Sequence, residues 1–300
     1  MTDAEPDRAA LAASLAALTA AGERLVTRAA GAPEIALDAR RIRDAALRLR
    51  ALVEAGEQDR HELHTPLNHI LGYSDLLREA EPAPAAAALA ELTQIRAAAL
   101  ALLALLRSGL TAAAEDVGAE PRPAAAGDGG CFLVVDDDAQ NRDVLERYLR
   151  RRGHQVVTAE HGRHALGLLA AARVDVILLD LRMPEMDGLE TLQHLKADPA
   201  LREIPVLVLS ALDEIDSLVR CIEAGAEDYL HKPFNPVLLD ARLSAYLGRK
   251  RFRDREALSS QHRSSQHVRQ LEERNAALER ALATIEQTLA GLTRSGEAGR

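Results

Sequence analysis

Between Glu34 and Ala80 the apolar positions keep a helical rhythm. Ile42, Ala45, Leu49, Leu52, Gly56, Asp59, Leu63, Pro66, Ile70, Tyr73 and Leu77 lie alternately three and four residues apart, which predicts one long helix with a single seam. Gly56 and Asp59 interrupt the seam. Residues 1–31 read as a separate amphipathic helix ending at Gly31, with Pro33 starting the next element. The segment EPAPA at 81–85 is a turn, and Leu89, Leu92, Ile95, Ala99, Leu102 and Leu106 predict a further helix to about Ala114. The two helices of 34–114 form an antiparallel hairpin, expected to bury its seam by pairing with a second copy in a dimeric four-helix bundle.

The pattern then changes. Residues 115–130 (EDVGAEPRPAAAGDGG) have no periodicity and read as a linker. From 131 to 249, the short apolar runs CFLVV, VVT, VDVILL, VLVLS and DYLH alternate with helical stretches, the mark of a doubly wound, five-stranded parallel sheet with helices on both faces. Residues 250–300 return to helix. Val268, Leu271, Asn275, Leu278, Leu282, Ile285, Leu289 and Leu292 make a heptad seam with one Asn at an a position, which predicts a parallel two-stranded coiled coil and hence a homodimer. The fold class is thus multidomain, α followed by α/β and a C-terminal coil.

Composition narrows the function classes. Hydrophobic residues are 47% of the 300-residue chain and aromatics 2%, so Ala and Leu carry the packing. The formal charge of -9 argues against binding nucleic acid or an anionic membrane surface. The N-terminus is acidic and polar rather than signal-like, and the longest nearly apolar run, Ala97 to Leu106, is about half of the ~20 residues a membrane span needs. Two cysteines, Cys131 and Cys221, suggest neither a disulfide framework nor a metal cluster. A cytoplasmic location is expected.

In an open parallel sheet the ligand site lies beyond the carboxyl ends of the strands. Those ends carry Asp136, Asp137 and Asp138, then Asp180, Ser210 and Lys232-Pro233. Converging carboxylates repel unless a cation sits among them, and an all-oxygen set suits Mg²⁺. A carboxylate nucleophile, a divalent cation, an ammonium and a hydroxyl together suit phosphoryl transfer to an aspartate. Asp138 is better placed to cap the following helix than to bind metal.

The strings CFLVVDDD, VILLDLRMPEMDG, VLVLSA and DYLHKPF, in this order, resemble the signatures of the response-regulator receiver domain. The resemblance covers residues 131 to about 249 and implies a flavodoxin-like fold. It implies that Asp180 is the phosphoacceptor and that Asp136, Asp137, Asp180 and the backbone carbonyl of Arg182 hold Mg²⁺. It also implies that Ser210 and Lys232 contact the phosphoryl oxygens, that Tyr229 is the aromatic switch, and that Lys232-Pro233 is cis.

A second string, HELHTPLNHILGYSDLL, resembles the phosphoacceptor box of histidine-kinase dimerisation domains, with His61 at the phosphorylated position. By helical phase His61 lies away from the seam and is expected to be exposed. Pro66 should bend the helix beneath it. The resemblance implies roles for Glu62 and Thr65 in phosphotransfer and dephosphorylation. His64 stands where the family usually has Arg and Arg60 where it has Ser, and His64 and His69 read as surface or packing residues. Only about 16 linker residues separate hairpin and receiver, whereas an ATP-binding domain needs about 100 or more. The expected protein is therefore a two-component phosphorelay component whose partner is a cognate histidine kinase or phosphotransfer protein. Two rivals stand beside it: a kinase or phosphatase that borrows a catalytic domain in trans, and a dimeric scaffold that sequesters a kinase or regulator.

Overall fold

The computed structural model describes residues 4–29, 32–57, 59–80, 86–107, 129–210, 215–253 and 274. The chain divides into two units, residues 1–247 and 248–300. In the second unit the described residues, 248–253 and 274, are helical. The rest of the expected coil, including Asn275, lies outside the described residues, as do residues 115–128 of the expected linker.

The first unit opens with four helices, α1 (Ala4–Arg28), α2 (Pro33–Glu54), α3 (Arg60–Arg78) and α4 (Ala86–Arg107). The long helix expected over 34–80 is two helices. Gly56 is the reason: at φ +77° it takes the left-handed conformation that L side chains avoid. Its N–H donates to the Val53 carbonyl and that of Glu57 to the Leu52 carbonyl, the paired bonds of a Schellman C-cap. The chain then turns, and α3 packs back on α2.

The fate of the apolar seam also corrects the sequence reading. α1 packs on α4 and α2, and α3 packs on α2 and α4, so the four helices close their common core within one chain. Leu18, Leu25, Ile42, Leu49, Leu67, Ile70, Leu92 and Ile95 are buried together. The seam assigned to a dimer interface is therefore covered by α1, which amphipathicity alone left without a destination. Over Ala86–Leu106 the described chain is long and apolar enough to cross a membrane, by length and composition. In this fold Leu92, Ile95, Ala99 and Leu102 of that helix face the shared core.

The second half of the unit is a sheet of β1 (Cys131–Val135), β2 (Gln155–Ala159), β3 (Val176–Asp180), β4 (Val206–Ser210) and β5 (Asp228–His231). All pairings are parallel, in the order β2-β1-β3-β4-β5. Between the strands run α5 (Ala139–Arg151), α6 (Gly162–Leu169), α7 (Gly188–Ala197) and α8 (Ile215–Glu223), and residues 236–247 are helical. β3 and β4 are buried along their whole length, as expected of strands covered on both faces. Their side chains alternate between two cores. Leu133, Val135, Ile177 and Leu179 pack toward α6 and α7. Phe132, Val134 and Leu178 join α5 and, beyond it, the core of α1–α4. Order reverses between β1 and β3, which places the end of β1 beside the end of β3 at the crevice where parallel sheets bind ligands.

The helical region and the sheet meet where α3 lies on α5. The approach is close: a Cβ at Gly72 would stand 2.7 Å from Val144 Cγ1. Charged groups frame this contact. Asp38 of α2 is 1% exposed and accepts a fork of bonds from Arg147 of α5, at 2.7 and 2.6 Å. Arg41 reaches Asp143 at 2.6 Å, and Tyr73 O–H donates to the same carboxylate at 3.1 Å. Arg151 donates to the Leu76 carbonyl.

Candidate functional site

Each strand end delivers one component of the site. β1 stops at Val135, and the next residues turn so that Asp138 caps α5, its carboxylate accepting the Gln140 and Asn141 N–H groups. That turn leaves Asp136 fully buried and Asp137 exposed at the rim. Asp180 closes β3, also buried, with one oxygen accepting the Leu181 N–H at 2.8 Å. Behind it Gly188 begins α7, and a Cβ there would lie 2.3 Å from the Asp180 carbonyl oxygen. Only glycine lets α7 start so close to the acidic strand end.

The three carboxylates converge: oxygens of Asp136, Asp137 and Asp180 lie within 4.8 Å of one another. Lys232, just past β5 and joined to Pro233 by a cis peptide, reaches in with Nζ 2.7 Å from Asp136 and 2.8 Å from Asp180. Burial disfavours its ammonium, but the charges of Asp136 and Asp180 outweigh burial and raise its pKa above the ordinary lysine value. One ammonium among three carboxylates leaves excess negative charge. Accordingly, burial and the neighbouring charge of Asp136 push the Asp137 carboxyl above its usual value. A crowded, all-oxygen set of this kind fits a hard divalent cation.

Ser210 and Tyr229 stand nearby but apart. Ser210 is buried at the end of β4, with its hydroxyl 3.3 Å from His231 Nδ1. Tyr229 is half-buried, edge-on to the His231 ring at 5.2 Å. Arg182 directs its guanidinium to Asp59 of the α2–α3 connection at 3.9 Å.

The wall opposite Asp180 comes from α3. A cavity of about 170 Å³ is lined on one side by Asp137, Asp138, Asn141, Asp180 and Lys232, and on the other by Glu62, His64, Thr65 and Asn68 of α3 with Arg48 of α2. Glu62 pairs with Arg48 at 3.4 Å. His61 belongs to the first turn of α3, and its side chain is outside the described residues. Pro66 sits within α3 as expected. His64 and His69 are both 3% exposed. His69 does more than pack: its Nε2 lies 3.1 Å from Asp138 Oδ1. Burial would push the Asp138 carboxyl up, but the hydrogen bond and charge of His69, with the Asn141 and Gln140 N–H groups, hold it well below the usual range.

Asn68, His69, Asn141 and Arg48 are the residues that sequence reasoning missed. A signal existed for one of them: Asn68 follows Thr65 by three positions, so the two share a helix face.

Residues 132–244 match the family model of the response regulator receiver domain. Among curated proteins, the response regulator MprA of Mycolicibacterium vanbaalenii is 44% identical over 118 residues, 39% of this chain and 50% of that protein. A probable transcriptional regulator, ycf27, of Guillardia theta is 40% identical over 117 residues, 39% of this chain and 45% of its own length. The chain thus spans about half the length of the curated relatives it matches. Among solved structures, the receiver domain of a signal transduction histidine kinase from Syntrophus aciditrophicus is 36% identical, covering 40% of this chain and 91% of that one, with a TM-score of 0.39. The receiver domain of a Pseudomonas aeruginosa sensor histidine kinase, solved with a magnesium ion in its active site cleft, is 32% identical over 40% of this chain and 98% of its own, with a TM-score of 0.38.

Proposed function

We propose, from the premise that residues 132–244 are a response regulator receiver domain of two-component signalling, that Asp180 takes a phosphoryl group from a histidine-borne donor. The convergence of Asp136, Asp137 and Asp180 on Lys232 carries this reading. Asp136, Asp137, Asp180 and the Arg182 carbonyl would hold Mg²⁺, whose charge offsets that of the transferring phosphoryl oxygens. Lys232 exchanges a carboxylate partner for a phosphoryl oxygen. The Ser210 hydroxyl turns from His231 toward the same group, and Tyr229 follows it inward.

The second half of the proposal concerns the helix over the site. Glu62 and Thr65 line the cavity that holds Asp180, and His61 precedes them in the first turn of α3. We read His61 as the group that exchanges phosphate with an aspartate, with Glu62 accepting the imidazole proton and Thr65 orienting the transferred group. The test is to incubate the chain with a cognate kinase ATP-binding domain and labelled ATP. Wild type should carry an acid-labile, alkali-stable phosphohistidine on the peptide holding α3, and His61→Ala should lose it while still accepting phosphate at Asp180 from acetyl phosphate. An alkali-stable label unchanged by His61→Ala would overturn the histidine assignment and leave α3 as a covering helix alone.

A further inference from the structure

The hydroxyl expected to meet a phosphoryl group on Asp180 is engaged elsewhere in this structure. Ser210 is fully buried at the end of β4. His231 closes β5 as its register partner, so the two side chains leave the same face of the sheet. The Lys232 N–H donates to the Ser210 carbonyl at 2.7 Å, so the backbone that delivers Lys232 to Asp180 also sets His231 against Ser210. Among the described residues the Ser210 hydroxyl has one side-chain partner, His231 Nδ1 at 3.3 Å. A hydroxyl carries one proton, and a buried O–H without an acceptor is destabilising, so Ser210 donates and Nδ1 accepts, with the ring proton on Nε2. The same imidazole stands 5.2 Å from the ring of Tyr229, two residues back on β5 and on the same face, at 66°.

We propose that His231 is a positioning residue that latches the Ser210 hydroxyl away from Asp180 and so sets how tightly the site holds a phosphoryl group. This rests on the reading of Asp180 as phosphoacceptor. The single Ser210 proton cannot serve Nδ1 and a phosphoryl oxygen at once. When the group arrives, the hydrogen bond to His231 breaks as the one to the phosphoryl oxygen forms, and the loss of the first offsets part of the gain from the second. The phosphoryl oxygen is anionic, so its hydrogen bond is the stronger of the two and the exchange runs toward the site. Losing its donor frees the imidazole to turn, and that imidazole is the one packed against Tyr229. One side chain thus links the hydroxyl to the aromatic group.

The experiment uses the full chain with Mg²⁺ and beryllofluoride, the mimic of the phosphoryl group, and reads the dissociation constant by titration calorimetry. His231→Phe keeps an aromatic ring against Tyr229 but removes the acceptor, and should bind beryllofluoride about fivefold more tightly, the worth of one hydrogen bond that no longer has to break. His231→Asn puts an amide oxygen where Nδ1 stood and should return the affinity to that of wild type. In a Ser210→Ala background, which has no hydroxyl to latch, His231→Phe should leave the affinity unchanged. With ¹⁵N-labelled histidine in the wild-type chain, the His231 Nδ1 resonance should move when beryllofluoride is added, and this reading decides the matter if His231→Phe fails to fold. Equal affinity of wild type and His231→Phe, or an Nδ1 resonance unmoved by the mimic, overturns the latch while leaving Asp180 as the acceptor. Tighter binding by His231→Phe that persists in Ser210→Ala also overturns it. A wild-type chain that binds no beryllofluoride, or binds it no better than Asp180→Asn, removes the reading of Asp180 and this inference together.

Discussion

Asp180→Asn should reduce phosphoryl uptake from acetyl phosphate and Mg²⁺ by at least about a hundredfold, because it removes the only acid of the cluster that ends a fully buried strand and faces both Lys232 and the cavity. The amide keeps the size of the side chain but is no nucleophile. It also removes one of the three charges that create the cation site, so the loss combines chemistry with weakened metal binding. Intact-mass spectrometry reads the result directly. Equal phosphorylation of wild type and Asp180→Asn would move the acceptor elsewhere.

The second large effect concerns the contact between α2 and α5. Asp38 is 1% exposed, whereas the Arg147 side chain keeps 31% of its surface in water. Removing either partner breaks the same fork, but the costs differ. Among the described residues, Arg147→Ala leaves the buried carboxylate with only the 3.4 Å contact of Arg41, and should lower unfolding stability by about 3 kcal/mol. Asp38→Ala leaves a guanidinium that can turn to solvent or to Asp143, and should cost about 1–2 kcal/mol. Denaturant unfolding of the two variants tests this order. A larger loss in Asp38→Ala would mean that the carboxylate is not the group that depends on the contact.

The parts of this fold that were legible in the sequence are those fixed locally. Strand runs such as CFLVV and VLVLS fall on β1 and β4, because a strand covered on both faces must be continuously apolar. The acids at the strand ends were legible for the same reason: parallel topology carries them to one edge. Gly56 was visible as a break in the seam, but whether a glycine ends a helix or rides inside it depends on the carbonyls it caps.

What the sequence did not reveal is where whole faces go. An amphipathic seam states that it needs a cover, not which element supplies it, and here α1 does what a second chain was expected to do. The docking of α3 on α5 was hidden in a different way. In the sequence Asp138 reads as a helix cap and His69 as a surface or packing residue, and the pairings Asp38–Arg147 and His69–Asp138, across 109 and 69 residues, follow only from the assembled surfaces.

At the centre of this account is the placement of the chain's own α3 over the acidic site of the sheet, and a pair of cysteines tests it most directly. A Cβ at Gly72 stands 3.5 Å from Val144 Cβ, within the roughly 3.5–4.5 Å that a disulfide spans. In dilute solution, oxidised Gly72→Cys/Val144→Cys chain should form a single intrachain bond, with peptide mapping linking α3 to α5 and Cys131 and Cys221 left as thiols. A pair that stays reduced, or that links only one chain to another, would contradict the account.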